Sequence, residues 1–347
     1  MKGKVQVFLL VPFFPRIGGV EKYVRQVMGE LRGRNLHVVL VVTETDAVGY
    51  FDGVEEMRTL GHEVIKRVDF SDDDLFISGI NMLATANSVA INFGSPWAFL
   101  NAGRFNSIFK TNVCFVFNNE ISLERAVAFS NHFDEFWVAY AKLKNFFPAA
   151  LQSSVHTMYT GIVPGAKSKT IIKKRGGKFT VGFLGRLSPE KGPLEFLEVV
   201  KLARTLTDIE FIMGGEGPLE REVLSQSKTL QNFNFVGHVQ KPFEFLSSID
   251  CLVISSLVEG IPLVAMEALS IGVPLVTRDV GGITELLSDE RNGYIWNGPA
   301  EMALSLIIDI KNRPKSQKFR ASLDPQFWQS NSDDLLARKI FTLIESE

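Results

Sequence analysis

Two glutamates eight residues apart, Glu259 and Glu267, mark the stretch of this chain whose residue types and spacing best fit chemistry. Gly260 follows the first of them, and Pro262 suits the start of a helix because proline lacks the N–H that would be left unbonded there. The preceding apolar run, Cys251–Ile254, predicts a short buried strand. The order is therefore strand, glycine turn and helix N-terminus, where free N–H groups and the helix dipole favour an anion.

The distance between the two glutamates predicts the kind of ligand. Eight helical residues correspond to roughly 12 Å along an axis, whereas paired acid and base carboxylates must flank a single bond. Glu259 and Glu267 therefore suit two separate parts of one long ligand. The alternative is two solvated glutamates on a helix surface; the adjoining Gly-x-Pro sequence and a matching upstream loop favour ligand binding.

The upstream loop follows the apolar run 179–184 and contains two cations, Arg186 and Lys191. Open parallel sheets place their ligands at the carboxyl ends of strands, which is where these side chains begin. The planar guanidinium and the compact ammonium suit a diphosphate. The alternative is an ordinary pair of surface cations.

Further glycine loops follow the next predicted strands, as Gly214-Gly215-Glu216-Gly217, Gly237-His238-Val239 and Gly281-Gly282. Each could be only a turn. The first two together resemble a nucleotide pocket in which backbone near Val239 is available to a base, and Gly281-Gly282 repeats the pattern of a glycine turn before a helix. His238 alone is expected to be structural.

Alternation of buried strands and helices predicts an α/β fold with two doubly wound, Rossmann-like sheets. The first half has apolar runs at 5–11, 38–43, 88–92, 113–117, 136–138 and 156–159, and the second at 179–184, 209–213, 233–236, 251–254 and 273–277. A basic, glycine-bearing stretch at 167–178 predicts a linker. We expect an N-terminal domain over 1–165, a C-terminal domain over 166–325 and a final helical segment over 326–347.

Gly18 and Gly19 precede the first predicted helix, at a place where backbone approaches a substrate or simply turns. The sequence here is not G-x-G-x-x-G, which argues against a nicotinamide-dependent oxidoreductase. Asp72-Asp73-Asp74 could chelate a cation, but a capped helix N-terminus is the preferred interpretation, and we expect no metal site.

Composition narrows the class of protein. A net charge of −2 and a pI near 6.3 argue against a dedicated nucleic-acid binder. Cys114 and Cys251 lie in apolar runs, as reduced buried thiols of a cytoplasmic protein do. No stretch is long enough to span a membrane, and the 28 phenylalanines are scattered as in core packing.

Taken together, the motifs around Arg186, Lys191, the Glu259–Glu267 pair and Gly281-Gly282 resemble the family 4 retaining, nucleotide-sugar-dependent glycosyltransferases of the GT-B type. The resemblance is strong over about 179–296 and weaker through Gly18–Glu21. It implies two Rossmann-like domains that face a cleft, with the donor held mainly by the second, and a C-terminal helix that crosses back to the first. It also implies polysaccharide or glycoconjugate synthesis by a hexosyltransferase-like enzyme that needs no metal or other cofactor.

By this resemblance, Arg186 and Lys191 bind the donor diphosphate, Glu259 contacts hydroxyls of the transferred sugar, and Glu267 contacts the ribose. Arg186, Lys191 and Glu259 are the expected catalytic residues. The expected donor-binding set adds to them Gly215, Val239, Gly260, Ile261, Pro262, Leu263 and Glu267. The acceptor side is expected to include Gly18, Gly19 and Asn118, and the acceptor is a saccharide or a lipid-linked saccharide at the inner face of a membrane, with peripheral contact left open.

One position departs from the family pattern. Many relatives have a histidine near the reacting sugar after the strand at 113–117, whereas this chain has Asn118. An amide can hydrogen-bond a hydroxyl but cannot shuttle a proton. Two alternatives therefore stay open: a weakly active or inactive sugar-nucleotide-binding partner subunit, and a sugar-nucleotide epimerase on the same double-Rossmann plan.

Overall fold

The computed structural model describes residues 6–14, 19–34, 36–44, 52–117, 120–159, 177–287, 292–313 and 333–345. The chain divides into two compact units, one of Met1–Ile162 with Ser330–Glu347 and the other of Val163–Gln329. The predicted boundaries, 165/166 and 325/326, fall outside the described residues and stay predictions.

The first unit is built on a parallel sheet with strand order β3-β2-β1-β4-β5-β6-β7. Its strands are β1 (Gln6–Val11), β2 (His37–Val42), β3 (Glu63–Lys66), β4 (Val89–Asn92), β5 (Thr111–Val116), β6 (Glu135–Val138) and β7 (Val155–Thr157). Its helices are α1 (Gly19–Gly33), α2 (Asp52–Thr59), α3 (Asp73–Leu83), α4 (Pro96–Leu100), α5 (Ala102–Phe105) and α6 (Glu120–Ala128), and 3-10 turns cover Arg67–Asp69, Ser130–His132, Ala141–Phe146 and Ala149–Ser154.

The second unit repeats the plan with strand order β10-β9-β8-β11-β12-β13, again parallel. Its strands are β8 (Phe179–Leu184), β9 (Ile209–Gly214), β10 (Phe233–Gly237), β11 (Cys251–Ile254), β12 (Leu275–Thr277) and β13 (Gly293–Ile295). A 3-10 turn at Pro189–Lys191 precedes the helices, which are α7 (Pro193–Leu202), α8 (Glu220–Ser227), α9 (Pro242–Ser248), α10 (Leu263–Ser270), α11 (Ile283–Leu286) and α12 (Ala300–Asn312).

The last helix, α13 (Asp333–Glu345), belongs to the first unit. Ile340 is fully buried and Leu343 nearly so, and the helix packs against α1. Lys339 Nζ lies 3.0 Å from Glu135 Oε1, at the start of β6. The chain therefore returns to its first unit after completing the second sheet.

Central strands are long apolar runs because helices cover both faces of a parallel sheet. In the first unit Phe8 and Leu10 of β1 pack with Phe76 of α3 and Trp97 of α4. In the second, β8, β9 and α7 meet in a core with Trp296. Both cysteines are buried as predicted, and burial raises the pKa of the Cys114 thiol. Within the described residues, no helix has the length and hydropathy that crossing a membrane requires.

The structure differs from the helices and strands predicted from the sequence in three respects. β3 and β13 were not predicted. The apolar spacing after β8 predicts a helix over 194–206, whereas α7 ends at Leu202. Pro262 is the N-cap residue of α10, so it lies just outside the first turn. β3 and β13 are the edges of their sheets, and β3 is only half-buried. Edge strands need no continuous apolar run, so their sequences give little signal.

Candidate functional site

The predicted donor-binding residues lie in one part of the second unit, in loops at or near the carboxyl ends of its strands and in α10. β8 leads to Arg186 and Lys191, β9 to Gly215, β10 to Val239, and β11 to Glu259. In a parallel sheet these strand ends meet at one edge, which is where a ligand binds in open α/β folds.

At this edge Lys191 and Glu259 form a direct ion pair. Lys191 Nζ lies 2.7 Å from Glu259 Oε1, although the residues are 68 positions apart. The hydroxyl of Ser256 donates to the same Oε1 at 2.8 Å. The Glu259 side chain is only 10% exposed and that of Lys191 is 31% exposed. The carboxylate is therefore held through one oxygen, while neither contact uses Oε2.

The ion pair forms because the loops after β8 and β11 are bonded to each other. Ser255 Oγ donates to the carbonyl of Gly192 at 2.6 Å, and Leu257 N donates to that of Glu190 at 2.8 Å. Gly192 has φ +63°, and a Cβ placed there would lie 2.3 Å from the carbonyl oxygen of Ser255. Only glycine allows this approach, which places Lys191 beside Glu259.

Arg186 is exposed at the end of β8, in the same loop as Lys191. The positive charge of Arg186 helps to lower the pKa of Glu190 below its usual value. Burial alone raises that pKa, but a hydrogen bond from Ser188 Oγ at 2.5 Å and the charges of Arg186 and Lys191 outweigh burial. The loop therefore concentrates positive charge in the region where a diphosphate was predicted to bind.

The backbone of the glycine loop after β9 is in close contact with the backbone of the loops after β8 and β10. Gly215 has φ +145°, and its amide donates to the carbonyl of Gly237 at 2.8 Å. A Cβ on Gly215 would lie 1.8 Å from the carbonyl oxygen of Gly185. Val239, just beyond β10, packs its side chain against Gly214. These glycines thus bring the loops after β8, β9 and β10 together.

The N-terminus of α10 follows Glu259 closely. Gly260 is half-buried and Ile261 buried, and the N-cap residue Pro262 offers no side-chain cap to the helix that Leu263 begins. Gly282 N donates to the carbonyl of Gly260 at 2.8 Å, which ties this turn to the start of α11. Glu267 lies inside α10 and is 5% exposed. Both glutamates are therefore buried, which contradicts the alternative that they are solvated surface residues.

His238 and Ser256 also lie in the loops of this region. His238 is exposed, with Nδ1 3.4 Å from Glu216 Oε1. Ser256 was missed as a site residue by sequence reasoning. The available signal was a hydroxyl three positions before Glu259, close enough in sequence to bond its carboxylate.

Of the residues predicted for the acceptor side, Gly19 is the first residue of α1 in the other unit. Gly18 and Asn118 lie outside the described residues. The acceptor site therefore stays a prediction.

Asp72-Asp73-Asp74 forms a helix N-terminus. Asp72 caps α3 by accepting from Leu75 N at 2.9 Å, and Asp74 pairs with Arg104. Asp73 accepts from Arg67 Nε at 2.7 Å and from Trp97 Nε1 at 3.0 Å. Burial alone raises the pKa of Asp73, but these bonds and the nearby guanidinium charges bring it below its usual value.

Within the described ranges, no group of three or more His, Cys, Asp or Glu side chains is arranged as metal ligands usually are. The three aspartates at the start of α3 bond to protein groups instead. The expectation that the protein needs no metal stays a prediction.

Comparison with known proteins finds relatives for part of the chain. Residues 166–323 match the family described as glycosyl transferases group 1. Over 138 residues the chain is 28% identical to UDP-Gal:alpha-D-GlcNAc-diphosphoundecaprenol alpha-1,3-galactosyltransferase of Escherichia coli, covering 38% of this chain and 36% of that protein. Over 169 residues it is 31% identical to glycogen synthase of Mycobacterium tuberculosis, covering 46% and 41%. The matches thus span less than half of either relative.

Solved structures resemble the chain over nearly its whole length. Alr3699/HepE of Anabaena in complex with UDP and glucose has a TM-score of 0.77 at 18% identity, covering 99% of this chain and 100% of that one. The pneumococcal O-GlcNAc transferase GtfA in complex with UDP and GlcNAc has a TM-score of 0.75 at 12% identity, with the same coverage. Residues 166–323, somewhat less than half of the chain, therefore match the glycosyl transferases group 1 family, and the two Rossmann-like units have the fold of GT-B glycosyltransferases.

Proposed function

We propose that this protein transfers a sugar from a nucleoside-diphosphate sugar to a hydroxyl of a saccharide or lipid-linked saccharide, with retention at the anomeric carbon and without a metal ion. The observation that carries the proposal is the contact between Lys191 and Glu259, 2.7 Å apart beside the N-terminus of α10. This contact supports the proposal because a cation suited to phosphate and a carboxylate suited to sugar hydroxyls lie side by side.

Charge at the leaving group is the chemical reason for this assignment. When the bond from the anomeric carbon to phosphate breaks, the departing diphosphate gains about one negative charge. A cation at 4 Å contributes about 4 kcal/mol at an effective dielectric constant of about 20. Arg186 and Lys191, with the N–H groups at the start of α10, supply that stabilisation in the proposed mechanism.

The two buried glutamates then bind neutral parts of the donor. Glu259 accepts from hydroxyls of the transferred sugar, and Glu267 accepts from the ribose. Backbone near Val239 contacts the base, while Gly215 allows the loop backbone to lie close to the nucleotide. The separation of the glutamates in sequence, and the burial of both, support binding of one extended donor.

In the retaining reaction we propose, the acceptor oxygen bonds to the anomeric carbon on the face that the phosphate leaves. The acceptor proton passes to the departing phosphate oxygen, so no protein base is required. This route accommodates Asn118, which cannot accept and return a proton as histidine does.

The names of relatives suggest which substrates to test first. The E. coli relative is named for a UDP-galactose donor and a diphosphoundecaprenol-linked acceptor. A relative in Campylobacter jejuni, 28% identical over 37% of this chain, is also named for a PP-undecaprenol-linked acceptor. We therefore propose a UDP-sugar donor and a polyprenyl-diphosphate-linked saccharide acceptor as the first pair to assay.

A thermal-shift panel of UDP-, GDP- and ADP-sugars, followed by assay of nucleoside diphosphate release, tests the proposal. A binding donor raises the melting temperature with its affinity, and release should require an acceptor and disappear in Arg186→Ala. Binding without release for any acceptor would favour a partner subunit. Conversion of the donor sugar without acceptor, seen by chromatography, would favour an epimerase.

A further inference from the structure

A third arginine or lysine of the second unit lies at the carboxyl edge of its sheet, apart from Arg186 and Lys191. Arg278 directly follows β12, and its guanidinium carbon lies 4.3 Å from the centre of the Trp296 ring, just after β13. The backbone amide of Arg278 donates to the carbonyl of Ile254, the last residue of β11, at 3.0 Å. Arg278 is therefore placed at the carboxyl ends of the neighbouring strands β11, β12 and β13.

Trp296 fixes the position of this guanidinium. The indole is fully buried, and its Nε1 donates to the carbonyls of Gly298 and Pro299 at 2.7 and 3.0 Å. These bonds hold the plane of the ring, so that the stacked cation rests on a rigid base. Arg278 is half-buried there.

The charge of Arg278 is not balanced by the part of the chain that the structure describes. None of its side-chain nitrogens bonds to a described group, and Nε is buried as well. The neighbouring Asp279 is exposed, and its backbone amide donates to Asn297 Oδ1 at 3.2 Å. Covering a tryptophan requires no charge, and a buried polar atom without a partner is unfavourable. Stability alone therefore does not account for an arginine here, whereas an anion at the Nη atoms would balance its charge.

The loop that contains Arg278 is attached to the turn that contains Glu259. Gly282 N donates to the carbonyl of Gly260 at 2.8 Å. Gly281 has φ +55°, and a Cβ placed there would lie 2.0 Å from the same carbonyl oxygen. Backbone contacts within one unit therefore set the position of Arg278 relative to Glu259.

The order of the strands indicates which ligand group lies near Arg278. In the proposed function the base is near β10, the diphosphate is at the loop after β8, and the transferred sugar is at Glu259, after β11. β12 and β13 come next along the same edge. Since neighbouring strands are about 4.8 Å apart, β12 is roughly 10 Å from β8. This part of the edge lies beyond the sugar, so it is available to the acceptor.

We propose that Arg278 binds the diphosphate of a polyprenyl-diphosphate-linked acceptor. A guanidinium can donate two parallel hydrogen bonds to phosphate oxygens, and stacking on an indole leaves the edge of the guanidinium open for them. This contact depends on the proposed function, because it requires the acceptor named there. It adds to that function an acceptor-binding residue in the unit that binds the donor.

Titration of farnesyl diphosphate into protein saturated with UDP tests the proposal, since UDP occupies the donor diphosphate site. In isothermal titration calorimetry the wild-type chain should bind this probe far more tightly than farnesol, which has the same apolar chain without the charge. Arg278→Gln should raise the Kd roughly tenfold or more. Arg278→Lys keeps the charge but loses the planar fork, and its Kd should be intermediate. Arg221→Gln is the matched control, because Arg221 is exposed on α8 of the same unit, and its Kd should equal that of wild type.

Thermal shifts with UDP separate this proposal from the proposed function. UDP should raise the melting temperature of Arg278→Gln as much as that of wild type. A wild-type chain that UDP does not stabilise would contradict the proposed function itself. With UDP bound, three results would overturn the role of Arg278: no binding of farnesyl diphosphate, an unchanged Kd in Arg278→Gln, or equal affinity for farnesol. A UDP shift lost in Arg278→Gln would also overturn it, because Arg278 would then contact the donor.

Discussion

A single carboxylate oxygen receives two donors at the candidate site, and this determines how Glu259 can act. Oε1 is bonded by the ammonium of Lys191 and by the hydroxyl of Ser256. Two donors fix the carboxylate plane, so that Oε2 is presented in one direction. In the proposed mechanism, this orientation fits Glu259 to a sugar hydroxyl before the donor binds, which reduces the ordering that binding requires.

Ser256→Ala tests this orientation. We expect kcat/KM for the donor to fall roughly tenfold, which corresponds to about one hydrogen bond to a charged group. Ser247→Ala removes a hydroxyl that donates to the Phe243 carbonyl in α9 and should leave the kinetics unchanged. Steady-state kinetics of both variants provide the check. Equal losses of kcat/KM in the two variants would indicate general destabilisation. An unchanged kcat/KM in Ser256→Ala would show that Ser256 does not position Glu259.

At this scale the sequence predicted residue types better than contacts. Arg186, Lys191, Glu259 and Glu267 were selected from charge, glycine loops and spacing. The ion pair between Lys191 and Glu259 depends on two loops 68 positions apart, clamped by Ser255 and Gly192, and no local pattern predicts that contact.

Among the elements, the loops that carry the site depend on glycines of two physical kinds. Gly215 is pressed against the backbone of Gly185, whereas an added Cβ on Gly237 would meet no atom within 4 Å. Both have positive φ, +145° and +66°. Gly237 therefore needs only a left-handed conformation, while Gly215 also needs the absence of a side chain.

Alanine substitution should separate the two kinds. Gly237→Ala should lower the free energy of local opening by about 1–2 kcal/mol. Gly215→Ala should lower it by at least about 3 kcal/mol, because the loop after β8 must also move. Hydrogen exchange of the β8 and β9 amides measures this free energy, and equal protection in the two variants would contradict the packing argument.

A second element-scale prediction concerns the start of α3. Asp73 joins this helix to Arg67 and to Trp97 of α4, and its pKa is lowered. Asp73→Asn should destabilise the protein by about 1 kcal/mol at neutral pH, a figure reduced because the side chain is 39% exposed. Asp74→Asn, at an 86% exposed carboxylate, should have little effect.

The pH dependence of the Asp73→Asn effect follows from linkage. A carboxyl whose folded pKa is depressed stabilises the fold above its unfolded pKa, near 3.9, and this contribution is lost as pH falls through the folded pKa. The difference between wild type and Asp73→Asn in thermal melts should therefore be constant from neutral pH to about 5 and shrink at lower pH. A difference that grows on acidification would contradict the assigned hydrogen bonds.

Central strands were predictable from sequence, whereas two of the four edge strands, β3 and β13, were not. β8 and β11 have the predicted bounds because buried parallel strands are continuous apolar runs. β3 contains Glu63 and Lys66 among its four residues, and β13 has three residues, so neither had a pattern that predicts an edge strand. The end of α7 was also missed, since Ala203 and Leu206 pack on the core from beyond the helix.

At the level of the whole molecule, the two units share one architecture but contain different predicted site residues. The second holds all of the residues predicted to bind the donor, and the first contains Gly19, the one described residue predicted for the acceptor side. The return of α13 to the first unit means that residues from both ends of the chain build it. Substitutions that test donor binding therefore all lie in the second unit.

The central claim is that fixed positive charge on Arg186 and Lys191, and not a metal ion, stabilises the departing nucleoside diphosphate. The most direct test is the rate of nucleoside diphosphate release from the preferred donor, with acceptor present, before and after addition of EDTA. The rate should be unchanged in EDTA and should fall roughly a hundredfold or more in Arg186→Ala and in Lys191→Ala. A rate that disappears in EDTA and returns on addition of Mg²⁺ would contradict it.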